Sequence, residues 1–230
     1  MIFRQLFDPE TSTYTYLIAD ESTKEAVLVD SVLEQVERDY KLIQELGLIL
    51  DCCLETHVHA DHITGTDKLR QLTGCLGVVP EHSTVACADV RIKAGNSLGV
   101  GKVNIKAIAT PGHTSCHMAY LVNKDRVLTG DALFIRGCGR TDFQNGDAGT
   151  LYDSVTQNLF TLPPETLVYP AHDYRGHTVS TIGEEKQFNP RFAGRNRSEF
   201  IELMNNLDLP NPKKIMEAVP ANELCGRVAA

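Results

Sequence analysis

Residues 14–19 alternate β-branched and aromatic side chains, and an apolar run at 26–29 follows the polar cluster Asp20-Glu21-Ser22-Thr23-Lys24. Alternation interrupted in this way predicts two strands joined by a turn. Residues 34–46 place Val36, Tyr40, Ile43 and Leu46 at spacings of four, three and three, with Gly47 next. That period lays one apolar stripe along a helix, and the glycine stops it. The apolar run at 48–55 reads as a strand and 64–73, before Gly74, as a second helix. Short strands are predicted at 76–79, 103–109, 119–122 and 126–128, then a helix at 151–162 and a strand at 166–169. Helical segments at 179–188, 198–206 and 212–218 end the pattern. Strands interspersed with helices after an antiparallel start predict an α/β layered fold. There is no fixed-period repeat and no low-complexity tract.

Composition narrows the class. Hydrophobic residues make up 42% and charged residues 23% of 230, which excludes disordered, collagenous and fibrous chains. The net charge of -8, without any block of like charges, argues against a nucleic-acid binder. Nearly apolar stretches such as 46–50 are far shorter than the roughly 18 residues of a spanning helix, and the first residues lack a signal-peptide pattern. A soluble protein that is not secreted and has no membrane partner is expected. Cysteines stand at 52, 53, 75, 87, 116, 138 and 225 with no CxxC pair. Neither a zinc ribbon nor a disulfide framework is expected, and free buried thiols in a reducing compartment are.

The chemistry concentrates in histidines. Five of the eight follow predicted strands: His57, His59 and His62 after 48–55, His113 after 103–109, and His172 after 166–169. Neutral imidazole and carboxylate donate electron pairs to borderline and hard cations, and loops at strand ends can converge on one ion. Between His57 and His62 lie four candidate ligands, His57, His59, Asp61 and His62, and Asp131 adds a carboxylate. Gly112 before His113 and Gly130 before Asp131 permit tight turns. His82, His117 and His177 have no ligand neighbours and read as packing or surface residues.

Four motifs carry a resemblance: THVHADHITG at 56–65, TPGHT at 110–114, GDALFIRGCGRTDFQ at 130–144 and YPAHDY at 169–174. Together they resemble the metallo-β-lactamase superfamily. With the tail motif NPRFAGRN at 189–196, they look like the persulfide dioxygenases, the family of ethylmalonic encephalopathy protein-like enzymes. The resemblance covers nearly the whole chain. It implies a metallo-β-lactamase-type αβ/βα four-layer sandwich with a short helical C-terminal tail: a catalytic domain over 1–190, and 191–230 packed on the same domain.

In superfamily members with two metals, the positions of His57, His59 and His113 form one site, those of Asp61, His62 and His172 the other, and Asp131 bridges. All are filled here, so the ligand inventory leaves one ion or two open. The resemblance to persulfide dioxygenases implies one Fe(II) per chain on His57, His113 and Asp131. His59, Asp61, His62 and His172 then surround the ligands and order water and protons. The implied reaction converts glutathione persulfide, O2 and water to sulfite and glutathione. For the anionic tripeptide, Arg140 is the leading cation, with Tyr174 on the same rim and Arg191 a weaker candidate. The alternatives are a hydroxyacylglutathione hydrolase with two Zn, and a non-catalytic metal- or persulfide-binding sensor. A short tail and Ala60 in place of a bulky aromatic weigh against the hydrolase. A cytoplasmic location is expected, or the mitochondrial matrix for a processed eukaryotic protein, and a homodimer stays open.

Overall fold

The computed structural model describes residues 1–210 and 214–227. By the density of its internal contacts the chain divides into two units. The first comprises Met1–Lys93, Leu98–Asn104 and the described residues 214–227, and the second Ala94–Ser97 and Ile105–Pro210.

The first unit carries a six-stranded sheet in the order β1 (Ile2–Asp8), β2 (Thr13–Ala19), β3 (Glu25–Val29), β4 (Ile49–Leu54), β5 (Leu76–Pro80), β6 (Val90–Ile92). β1 to β3 are antiparallel neighbours and β3 to β6 parallel ones. The parallel half needs crossovers, which α1 (Val36–Glu45) and α2 (Thr66–Thr73) supply. Val36 and Ile43 of α1 are buried among Leu17, Leu28, Cys53 and Leu69, as the helical stripe predicts. Gly47 and Gly74 end the two helices in the left-handed region.

The other sheet runs β12 (Ser180–Thr181), β11 (Leu167–Pro170), β10 (Arg126–Gly130), β9 (Met118–Val122), β8 (Val103–Ala109), β7 (Ser97–Val100). The second unit holds α3 (Ala148–Ser154), α4 (Ile182–Phe188) and α5 (Arg197–Asn205). Its core joins Val127, Leu133, Leu151, Val168, Phe192 and Phe200. At α5 the Asn196–Glu199 capping box contributes about 1 kcal/mol, and burial of Phe200 about 1.5–3 kcal/mol. The cap therefore decides where the helix starts and the packing decides where it lies. The last helix, α6 (Ile215–Glu223), belongs to the first unit, where Ala218 and Ala221 pack on Ile63.

Several expectations are corrected. The helix expected at 151–162 starts at Ala148, where Asp147 caps it, and continues as a π-turn over Val155–Leu159. Residues 179–188 begin as the short strand β12 before α4. The segment expected helical at 212–218 lies partly outside the described residues, and α6 reaches on to Glu223. β1, β6 and β7 were not anticipated. The free-thiol expectation is met by Cys52, Cys53, Cys75, Cys116 and Cys138 but fails for Cys87 and Cys225, which form a disulfide. These two lie 138 residues apart, so no local spacing reveals them. Among the described residues no helix is long and apolar enough to cross a membrane.

Candidate metal centre

In the first unit the candidate donors start where β3 and β4 end. These strands are parallel neighbours with Val29 opposite Leu54, so Asp30 and Thr56 leave the sheet side by side. Asp30 accepts the Thr56 N–H at 2.7 Å and the Thr56 hydroxyl at 2.9 Å. The hydroxyl has one proton and gives it to Asp30, so toward His57 Nδ1, at 2.9 Å, its oxygen can only accept. The His57 proton therefore sits on Nδ1, and Nε2 carries the lone pair.

His59 is buried, with Nε2 3.1 Å from Asp30 and 3.4 Å from Glu55. Burial alone would pull its pKa down, but the two carboxylates outweigh it and hold the imidazole well above its usual value. Burial pushes the Glu55 carboxyl up, and His59 with the Thr64 and Thr66 hydroxyls brings it below the usual range. His62 Nδ1 donates to Asp61 at 2.9 Å, and Asp61 also accepts from the Thr13 hydroxyl at 3.3 Å. His59 Nδ1 and His62 Nε2 are buried with no hydrogen-bond partner among the described residues.

The loop's backbone is held by a residue the sequence did not reveal. Asn222 of α6 donates to the carbonyls of His59 and His62 at 2.9 and 2.8 Å and accepts the Thr64 N–H at 2.8 Å.

In the second unit His113 follows β8, Asp131 follows β10 and His172 follows β11. His113 Nδ1 lies 2.7 Å from the Arg140 carbonyl, which can only accept, so the proton is again on Nδ1. The His113 Nε2 lone pair lies 3.5 Å from Asp131 Oδ2, and His172 Nε2 lies 3.6 Å from Asp131 Oδ1. That Oδ1 is buried without a hydrogen-bond partner among the described residues. Gly139 donates its N–H to the Asp131 carbonyl at 2.7 Å, and a Cβ there would come within 2.6 Å of that carbonyl oxygen and 2.8 Å of His113 Nδ1. Only glycine permits so close an approach.

His117, expected to be a packing residue, has a positional role. Its Nε2 accepts the Asp131 N–H at 2.9 Å while Nδ1 meets the Thr110 hydroxyl at 2.8 Å. His82 is exposed, and His177 pairs with Asp173 at 3.3 Å.

The expected substrate contacts differ in commitment. Arg140 forks onto Asp142 at 2.6 and 2.7 Å, donates to the Pro210 carbonyl at 2.7 Å and covers the Phe143 ring at 4.4 Å. Arg191 has no side-chain hydrogen bond or ion pair among the described residues, and its charge acts on Cys138. Burial nevertheless pushes the Cys138 thiol up to about 12, which leaves it protonated at neutral pH and a poor nucleophile. Tyr174 is 70% exposed and stacks on His172 with ring centroids 6.0 Å apart.

These donors suit a cation. His57 and His113 each have Nδ1 spent on an oxygen acceptor and Nε2 left as a donor, the usual arrangement of metal-bound histidine. Nitrogen and carboxylate oxygen together fit borderline divalent metals.

The family model described as "Metallo-beta-lactamase superfamily" matches residues 8–90 and 88–172. The protein "Persulfide dioxygenase ETHE1, mitochondrial" of Mus musculus is 51% identical over 98% of this chain and 89% of its own length. Its Homo sapiens counterpart is 50% identical over the same shares. The crystal structure of ETHE1 from Myxococcus xanthus is 57% identical and covers 99% of this chain and 100% of its own, with a TM-score of 0.96. The chain belongs to the metallo-β-lactamase superfamily and, within it, to the persulfide dioxygenases, a family of enzymes.

Proposed function

We propose that the chain oxidises glutathione persulfide with dioxygen and water to glutathione and sulfite, using one Fe(II) held by His57, His113 and Asp131. The observation that carries this reading is the placement of protons on the two imidazoles. Thr56 and the Arg140 carbonyl hold them on Nδ1 and leave two Nε2 lone pairs, while the Asp131 carboxylate keeps a buried oxygen without a hydrogen bond among the described residues. Two histidines and one carboxylate are the donor set of non-haem Fe(II) oxygenases. When bound, iron supplies the dioxygen chemistry and open positions for sulfur and oxygen.

The chain's own residues then do the rest. Persulfide, O2 and water give glutathione and sulfurous acid, which ionises at neutral pH, so the site must pass protons outward. His62 and His172 serve as the acceptors, with Asp61 orienting His62 through Nδ1. His59, locked between Asp30 and Glu55, holds the loop's charge balance.

For the tripeptide carboxylates, Arg191 takes precedence over Arg140, because Arg140 must first release Asp142. Tyr174 offers its exposed ring at the rim beside His172. A charge-assisted contact is worth about 1.5–3 kcal/mol. Arg191→Ala should therefore raise KM about tenfold or more with iron content unchanged, and an unaltered KM removes Arg191 from the substrate site. In a bacterial source the enzyme acts in the cytoplasm, and in a eukaryotic one in the mitochondrial matrix.

The reaction is tested by loading the protein anaerobically with iron and adding glutathione persulfide in an oxygen electrode. Oxygen uptake matched by equal amounts of sulfite and glutathione is expected. No uptake, with thiolester hydrolysis by the zinc-loaded protein, overturns the reading in favour of a hydrolase.

A further inference from the structure

The first unit fastens its metal loop from an unexpected place. Among the described residues, all three side-chain hydrogen bonds of buried Asn222 go to loop backbone, at His59, His62 and Thr64. Around it the tail is pinned at several points. Ala86 donates to the Glu223 carbonyl and Asp67 to the Cys225 carbonyl, both at 3.0 Å. Arg227 reaches Asp67 at 2.9 Å. Gly226 sits so close that a Cβ would come within 2.0 Å of the Thr64 carbonyl oxygen. The Cys87–Cys225 disulfide ties this segment covalently to the stretch between β5 and β6. A cavity of about 20 Å³, room for one water, has Asn222 and Cys225 in its wall together with Glu55, His57 and His59. Loosening the tail would open the back of the loop to solvent.

We propose that Asn222 is a positioning residue for the metal loop and that the Cys87–Cys225 bond fastens it, so that the redox state of this pair sets how firmly the loop holds metal. The inference rests on the reading of His57 as a metal ligand. Cys225 is buried and Cys87 half-buried, so a small thiol reaches Cys87 Sγ first. A glutathione thiolate attacks that sulfur, the S–S bond breaks, and Cys225 leaves as a thiolate that takes a proton. A second glutathione then displaces the first from Cys87, releasing oxidised glutathione and a second protein thiol. Two electrons pass from two thiols to the protein. Glutathione is also a product of the proposed reaction, so the reductant is one the site itself generates.

The test uses full-length metal-loaded protein, with release to a chelator and the ligand-field spectrum of the Co(II)-substituted form as readouts independent of turnover. Asn222→Ala should release metal about tenfold faster and change the Co(II) spectrum, the size expected for groups that orient ligands. Asn222→Asp, which keeps only the acceptor for Thr64, should fall between. Glutathione should move the wild type toward the Cys87→Ser variant and leave that variant unaffected, which keeps the test open if Asn222→Ala does not fold. A fall in melting temperature with unchanged release and spectrum in every variant means a purely structural staple and overturns the proposal. So does a thiol titration of air-isolated protein that finds Cys87 and Cys225 both reduced. A wild type that retains no metal instead overturns the metal-site reading itself.

Discussion

The two histidines proposed as ligands reach the same tautomer by different means. His57 is set by side chains, through the relay from Asp30 by way of the Thr56 hydroxyl. His113 is set by backbone, through the Arg140 carbonyl, in a turn that only Gly139 can make so tight. A side-chain relay can be cut one atom at a time. A backbone acceptor can be disturbed only by changing the path of the chain. The first unit should therefore show graded losses on mutation and the second abrupt ones.

The largest effects come from the donors themselves. His57→Ala, His113→Ala and Asp131→Ala should each abolish metal retention, since two protein donors compete poorly with water. His62→Ala and His172→Ala should keep metal and lose activity. Metal analysis of the purified variants checks this, and equal metal loss in the latter pair would make them ligands too. Next comes the root of the relay. Asp30→Ala leaves the Thr56 N–H without its acceptor and His59 with Glu55 alone, and breaking a buried charge pair costs about 3–5 kcal/mol. Denaturant unfolding of the metal-free protein measures it, and a loss below about 1 kcal/mol would show the relay to be dispensable.

In the second unit Gly139→Ala forces a methyl against the Asp131 carbonyl and His113. Overpacking of this kind costs about 1–3 kcal/mol, and because it moves both proposed ligands it should eliminate most metal binding. Unchanged metal content would show that the turn yields cheaply. The smallest effect is expected at Thr56. Thr56→Val removes the hydroxyl and with it the preference for Nδ1–H, weakening metal binding about tenfold. Thr56→Ser should restore it. Isothermal competition against a chelator separates the two, and equal affinities would break the tautomer argument for the first unit.

Sequence alone revealed the candidate donors because they are chemically rare and cluster in short segments after strands. It did not reveal their holders. Asp30, Glu55 and Thr56 are ordinary residues beside strand ends, and only the parallel pairing of β3 and β4 makes Asp30 the partner of Thr56. Asn222 lies 160 residues from His62, and His117 shows its purpose only when its ring is seen to accept the Asp131 amide. Central strands were legible because they bury consecutive residues, as β2 does throughout. β1, mostly half-buried, and the short β6 and β7 show too little contrast between their faces. Arg140 drew attention through its motif, but its pairing with Asp142 became visible only in three dimensions.

Metal analysis of anaerobically purified protein tests most directly the central proposal, that the two matched tautomers serve a single ion with His57, His113 and Asp131 as its protein ligands. Close to one iron per chain, lost in His57→Ala and in His113→Ala alike, is the predicted result. About two zinc ions per chain, with one surviving either substitution, would contradict it.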